Sequence, residues 1–168
     1  MNLKGLFYSI ISIITGPFTT VVYEIDTNLY QSGVLISPDV NRILKKKGIR
    51  GILDLEGNID FRAVTTSLDW YHYWLIEDGP KLPNLRILWE MASVVQEKTL
   101  KGMKVLVHCQ AGINRSSLVN GCVLYLRNYR GVNIVNRIRS RRPGALTNDT
   151  FRRYLERLVW DGEDTRYD

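Results

Sequence analysis

Apolar positions along this chain alternate between short β-branched or aromatic runs and longer segments in which they recur every three or four residues. Residues 28–36 predict a strand or hairpin, and Ser37 then stands as the cap of a helix with Pro38 in its first turn. Val40, Ile43 and Leu44 are the apolar face of that helix, and Lys45-Lys46-Lys47-Gly48 ends it with cations and a glycine. Residues 49–55 predict a second strand. Residues 68–76 predict a third, rich in aromatics (Trp70, Tyr71, Tyr73, Trp74), in which His72 reads as a packed or surface histidine. Glu77-Asp78-Gly79-Pro80 breaks it. A helix follows over 83–98, with Leu85, Leu88, Met91, Ala92 and Val95 on one face. Then come a strand over 104–108 and a helix from about Asn114 carrying Leu118, Val119, Cys122, Val123 and Leu126. Two more helices are expected near 132–141 and 148–160. Strands alternating with helices predict an α/β fold, a central parallel-rich sheet of about four to five strands with helices on both faces.

The 168 residues suit one domain, expected over 28–160 and flanked by an apolar segment at 1–27 and a polar tail at 161–168. The apolar run at 6–14 is too short to span a bilayer. It lacks the small-residue cleavage site of a secretory signal, since the first alanine is Ala63. It is expected to pack on the domain or to lie weakly on a membrane surface or partner. Two cysteines, Cys109 and Cys122, make no disulfide framework and suit a reducing compartment, so a cytoplasmic location is expected ahead of secretion. No Cys/His spacing fits zinc, and no metal or cofactor is expected. Oligomeric state is not legible.

The net charge of +6 is concentrated late: from residue 101 onward 13 Lys and Arg stand against 6 Asp and Glu. A basic face would draw anionic ligands, although most such arginines are ordinary solvated helix surface.

The densest chemistry lies at His108-Cys109-Gln110-Ala111-Gly112-Ile113-Asn114-Arg115-Ser116, between the predicted strand and helix. A strand–loop–helix turn gathers backbone N–H groups at the positive end of a helix dipole, which makes an anion site. Gln110, Ala111, Gly112, Ile113 and Asn114 would supply that cradle, with Gly112 free to take positive φ. Arg115 can hold two phosphate oxygens with its planar fork. Cys109 at the floor sits where the thiolate, the nucleophilic form, is favoured. Ser116 can give its hydroxyl to that sulfur, and His108 is expected to orient the loop backbone. Phosphate-ester hydrolysis also needs a proton donor for the leaving oxygen and a base for water. Asp78, on a turn after a strand, is the candidate, with Glu77 in reserve. A buried structural cysteine and a plain turn aspartate are the bland alternatives.

These residues resemble the His-Cys-x-x-Gly-x-x-Arg-Ser/Thr signature of the cysteine-dependent protein tyrosine phosphatase superfamily. Length and flanking segments are most similar to its compact dual-specificity branch. The resemblance implies hydrolysis through a phosphocysteine, with the acid aspartate on a loop at a spacing like that of Asp78. It also covers Arg142-Pro143-Gly144-Ala145-Leu146-Thr147-Asn148-Asp149-Thr150-Phe151 and Leu155, which are similar to the family's arginine-rich segment and following helix. Phe151 and Leu155 are expected in the core, and Asn148 to line the pocket or cap the helix. Nothing matches the Lys-Asn-Arg-Tyr element of tyrosine-only members, so the pocket is expected to be shallow. Phosphotyrosine and phosphoserine/threonine proteins are the expected substrates.

The loop has no lysine, which disfavours inositol lipids. The Gly-x-Asn-Arg ending is shared with RNA 5′-triphosphatases of the superfamily, so RNA is the second substrate class, with Arg139, Arg141 and Arg142 as its rim. A phospho-binding module without turnover, and sulfur or arsenate chemistry relayed through Cys122, are further alternatives.

Overall fold

The structure, a computed structural model, describes residues 21–35, 40–57 and 68–159. In chain order these form β1 (Val22–Asp26), β2 (Leu29–Ser32), α1 (Val40–Lys47), β3 (Ile49–Asp54), β4 (Trp70–Tyr73), α2 (Leu85–Leu100), β5 (Lys104–His108), α3 (Arg115–Leu126), α4 (Val132–Arg141) and α5 (Asp149–Arg157). The sheet order is β1-β2-β5-β3-β4. β2, β5, β3 and β4 run parallel, and β1 is antiparallel to β2.

Strand periodicity distributes the core. Val105 and Val107 of β5 join Leu29, Leu53 and Leu55 on one face, packed against α2, α3, α4 and α5. Leu106, Ile52 and Tyr30 point to the other face, under Val40 and Leu44 of α1. The expected α/β architecture, parallel-rich with helices on both faces, is therefore the observed one. On α2 Leu88, Met91, Ala92 and Val95 of the predicted stripe are buried and Leu85 is half-buried, and Trp89 beside them donates its indole N–H to the Tyr154 hydroxyl of α5 at 2.7 Å. α3 goes further than its pattern. Every residue from Arg115 to Tyr125 is buried, because the sheet lies on one side and three helices on the others.

Two elements differ from the pattern. β1 lies upstream of residue 28, where the sequence set the first strand, and it pairs with β2 across a register shift between Glu24 and Asp26. That irregularity blurs the alternation which marks a strand. The third strand is shorter than 68–76. Its ladder covers Trp70–Tyr73, and single bonds flank it, from Asp69 N–H to the Arg50 carbonyl and from Trp74 N–H to the Asp54 carbonyl. His72 is exposed there, stacked at 6.2 Å on Trp70. Ser37, Pro38, the apolar run at 6–14 and the tail at 161–168 lie outside the described residues. No described helix is long and apolar enough to cross a membrane.

Candidate active site

Parallel sheets bind ligands beyond the carboxyl ends of their strands, and here β5 ends at His108 and runs directly into the anion loop and α3. The loop carbonyls are turned outward and held. The Gln110 carbonyl accepts the Val34 N–H at 2.9 Å. The Gly112 carbonyl accepts the Gln31 amide at 3.1 Å and Arg142 Nε at 3.2 Å. The Ile113 carbonyl accepts the Leu146 N–H at 2.9 Å and the Ser117 hydroxyl at 2.7 Å. By contrast, among the described residues, the backbone N–H groups of residues 110–114 have no protein acceptor. A loop with its acceptors engaged and its donors free is an anion cradle. Gly112 makes the tightest point at φ 62°, where a Cβ would sit 2.5 Å from the Gly33 nitrogen and the Ser32 carbonyl carbon. Any side chain would push the loop off β2.

Cys109 is 2% exposed at the floor, its Sγ 3.3 Å from the buried Ser116 Oγ. Arg115 follows at the start of α3, buried. Its Nη1 donates to the Ile76 carbonyl at 3.2 Å and pairs with the Glu56 carboxylate, while its Nε has no partner among the described residues. One end of the guanidinium is thus anchored, and Nε remains for an anion. His108 is wholly buried, with Nε2 3.0 Å from Asp54 Oδ1. That oxygen also accepts the Glu56 and Gly57 N–H groups at 2.8 Å each, and Oδ2 accepts the Tyr71 hydroxyl at 2.8 Å. Burial alone would raise the Asp54 carboxyl, but His108 and the two N–H donors outweigh it and hold it below the usual carboxylate range. His108 therefore ties the residue before Cys109 to the end of β3 rather than reaching for a ligand.

Asp78 lies exposed at the mouth of the loop. Its Oδ2 accepts the Asn114 side-chain amide at 2.9 Å and its Oδ1 accepts that of Asn148 at 2.8 Å. Glu77 lines a groove with Trp74, Leu75 and Pro80. Asn148 caps α5, its Oδ1 accepting the Phe151 N–H, and its Nδ2 also holds Asp78. Gln110 is exposed at the rim, and Ala111 and Ile113 complete the loop wall.

Three contributors were not singled out in the sequence, Glu56, Asp54 and Gln31, and a fourth, Arg142, was expected elsewhere. Glu56 and Asp54 sit at the carboxyl end of β3, which was the available signal. Gln31 links Gly112 to Ser117 and Asn120 in a buried network. Arg142, read as a rim arginine, is buried under the loop with its guanidinium 4.7 Å from the Tyr23 ring. Arg139 is bonded to the Ala145 and Leu146 carbonyls. Cys122 is fully buried in α3, and burial pushes its thiol well up from the ordinary range. No described cluster of three His, Cys, Asp or Glu could hold a metal ion.

The dual specificity phosphatase catalytic domain matches residues 36–158, which carry this arrangement apart from the contacts of Tyr23 and of residues 31–34. The chain belongs to the dual specificity phosphatase family. It is 32% identical over 88 residues to dual specificity protein phosphatase 15 of Rattus norvegicus, a match covering 51% of this chain and 36% of the relative. The Homo sapiens protein of that name is 31% identical over 86 residues, covering 51% of this chain and 29% of the relative. The matched segment thus spans about a third of the curated relatives' length. Among solved structures, DUSP15 superposes with TM-score 0.68 at 23% identity, covering 80% of this chain and 85% of that one. The human tyrosine phosphatase-like serine/threonine/tyrosine-interacting protein does so with TM-score 0.67 at 23% identity, covering 80% and 93%. These two share the fold.

Proposed function

We propose that this domain hydrolyses phosphomonoesters through a phosphocysteine intermediate, with phosphotyrosine and phosphoserine/threonine proteins as its substrates. The observation that carries the reading is the pairing of a buried Cys109 under free loop N–H groups with an Asp78 carboxyl held over the same loop. In the first step the Cys109 sulfur bonds to phosphorus, the ester P–O bond breaks, and Asp78 gives its proton to the leaving oxygen. In the second step water attacks phosphorus, Asp78 takes a proton from it, and the P–S bond breaks to release inorganic phosphate. The Ser116 hydroxyl donates to the sulfur as it leaves. Free loop N–H groups and Arg115 Nε match the charge that builds on the equatorial oxygens.

Protein substrates fit better than RNA because two of the three arginines expected to form a polymer rim are used internally, Arg142 under the loop and Arg139 on carbonyls. The absence of lysine from the loop argues against inositol lipids. A reduced thiol is required throughout, so we also place the protein in the cytoplasm. The test is a panel of phosphotyrosine, phosphoserine and phosphothreonine peptides, a 5′-triphosphate RNA and a phosphoinositide, each at two salt concentrations. Phosphotyrosine peptides are expected to be the best substrates, with measurable phosphoserine or phosphothreonine turnover. A preference for the RNA that falls steeply with salt would overturn the substrate class and leave the Cys109 chemistry intact.

A further inference from the structure

Asn114 precedes α3, but its side chain makes no capping bond to that helix. It is committed elsewhere. Its Oδ1 accepts the Asn148 backbone N–H at 3.0 Å and the Thr147 hydroxyl at 3.2 Å. An amide whose oxygen faces a backbone donor has its orientation fixed, so Nδ2 is the atom turned toward Asp78 Oδ2. Asn148 is fixed in the same way: its Oδ1 accepts the Phe151 N–H, and its Nδ2 reaches Asp78 Oδ1. These two amides hold the carboxyl of an otherwise exposed residue. They belong to different parts of the chain, one inside the anion loop and one at the start of α5.

We propose that Asn114 is a positioning residue for the general acid, a tie by which the anion loop itself sets where the Asp78 carboxyl stands. The proposal rests on the reading of Asp78 as that acid. The two ties are not equivalent. As a carboxylate, Asp78 accepts from both amides. When it carries its proton, one oxygen becomes a donor and no longer matches the N–H facing it. The Asn148 amide has a second acceptor in the Gly79 carbonyl at 2.9 Å, so it stays satisfied when Oδ1 is released to carry the proton. Asn114 Nδ2 has no second protein acceptor among the described residues, and it keeps hold of Oδ2 through both steps. The acid therefore turns about a fixed oxygen whose anchor moves with the loop that cradles phosphate.

The test is a double-mutant cycle of Asn114→Ser and Asp78→Ala, read with phenyl phosphate, which has a poor leaving group, and with nitrophenyl phosphate, which has a good one. Asn114→Ser is expected to lower kcat/KM, which reports the first step alone, about tenfold on phenyl phosphate and about twofold at most on nitrophenyl phosphate. It is expected to add nothing in the Asp78→Ala background and to leave tungstate binding unchanged. The same loss on both substrates, or the same further loss without Asp78, would overturn the proposal, because Asn114 would then act on the anion loop alone. Asn114→Ala also removes Nδ2 and adds no charge to the cradle, so it should show the same leaving-group signature if the serine variant folds poorly. If Asp78→Ala itself shows no leaving-group dependence, the acid assignment fails first and the positioning role falls with it.

Discussion

The anion loop and the acid loop face the same space and are held in opposite ways. Residues 109–115 are mostly buried and fixed by main-chain and side-chain bonds from β2, α3 and the segment at 142–146. The acid loop is exposed, and its carboxyl is held by two side-chain amides, with further bonds from the Asn148 amide to the Gly79 carbonyl and from the Thr150 hydroxyl to the Pro80 carbonyl. The rigid side keeps a fixed set of N–H donors aimed at one point, as charge stabilisation requires. On the proposed mechanism, the lightly held side keeps the group that exchanges a proton in each turnover.

The largest effect should come from the rigid side. Cys109→Ser is expected to abolish hydrolysis while tungstate binding survives, because the N–H cradle does not depend on the sulfur. Full activity in that variant would remove the nucleophile from the account. Asp78→Asn should spare anion binding equally and lower kcat/KM by roughly 10²–10⁴-fold on substrates with poor leaving groups, with a much smaller loss on nitrophenyl phosphate. Small, equal losses on both would make Asp78 a turn residue and move the test to Glu77.

Gly112→Ala sharpens the comparison from the structural side. Its Cβ would meet β2 backbone at 2.5 Å with φ held at 62°. Stability should fall by about 1–3 kcal/mol in urea denaturation and tungstate binding should be lost. An unchanged urea midpoint with full binding would show that the loop is not pinned there.

The smallest effect concerns acid. The folded Asp54 carboxyl titrates below its unfolded value, so its contribution to stability is complete above about pH 4 and drains away as pH falls lower. Asp54→Asn should narrow the stability difference between neutral and acidic solution, measured by urea midpoints at both. An unchanged difference would show that the His108 contact and the N–H donors do not favour the charged form.

Sequence periodicity was enough for β3, β5 and α4, because their apolar residues alternate or recur without interruption. The loop was legible because its chemistry is contiguous in the chain. What could not be read depends on contacts between distant residues. β1 carries a register shift, and Asp26 at its end is bonded to Arg127 and Arg137, whose proximity only the fold creates. Glu56 meets Arg115 because β3 lies beside β5, a neighbour relation no local pattern encodes. Arg142 looked like one more surface cation in a basic stretch, and only its place under Gly112 distinguishes it from Arg141.

The central claim is a covalent bond between Cys109 and phosphorus, and trapping it is the most direct measurement. Asp78→Asn protein, in which the base for water is gone, is mixed with nitrophenyl phosphate, whose good leaving group needs little help from the missing acid, then quenched and mapped by mass spectrometry. The account predicts one phosphoryl group on the peptide that contains Cys109, and none when Cys109→Ser is added to the same protein. Phosphoryl transfer to another residue, or steady product release with no adduct at any quench time, would contradict it.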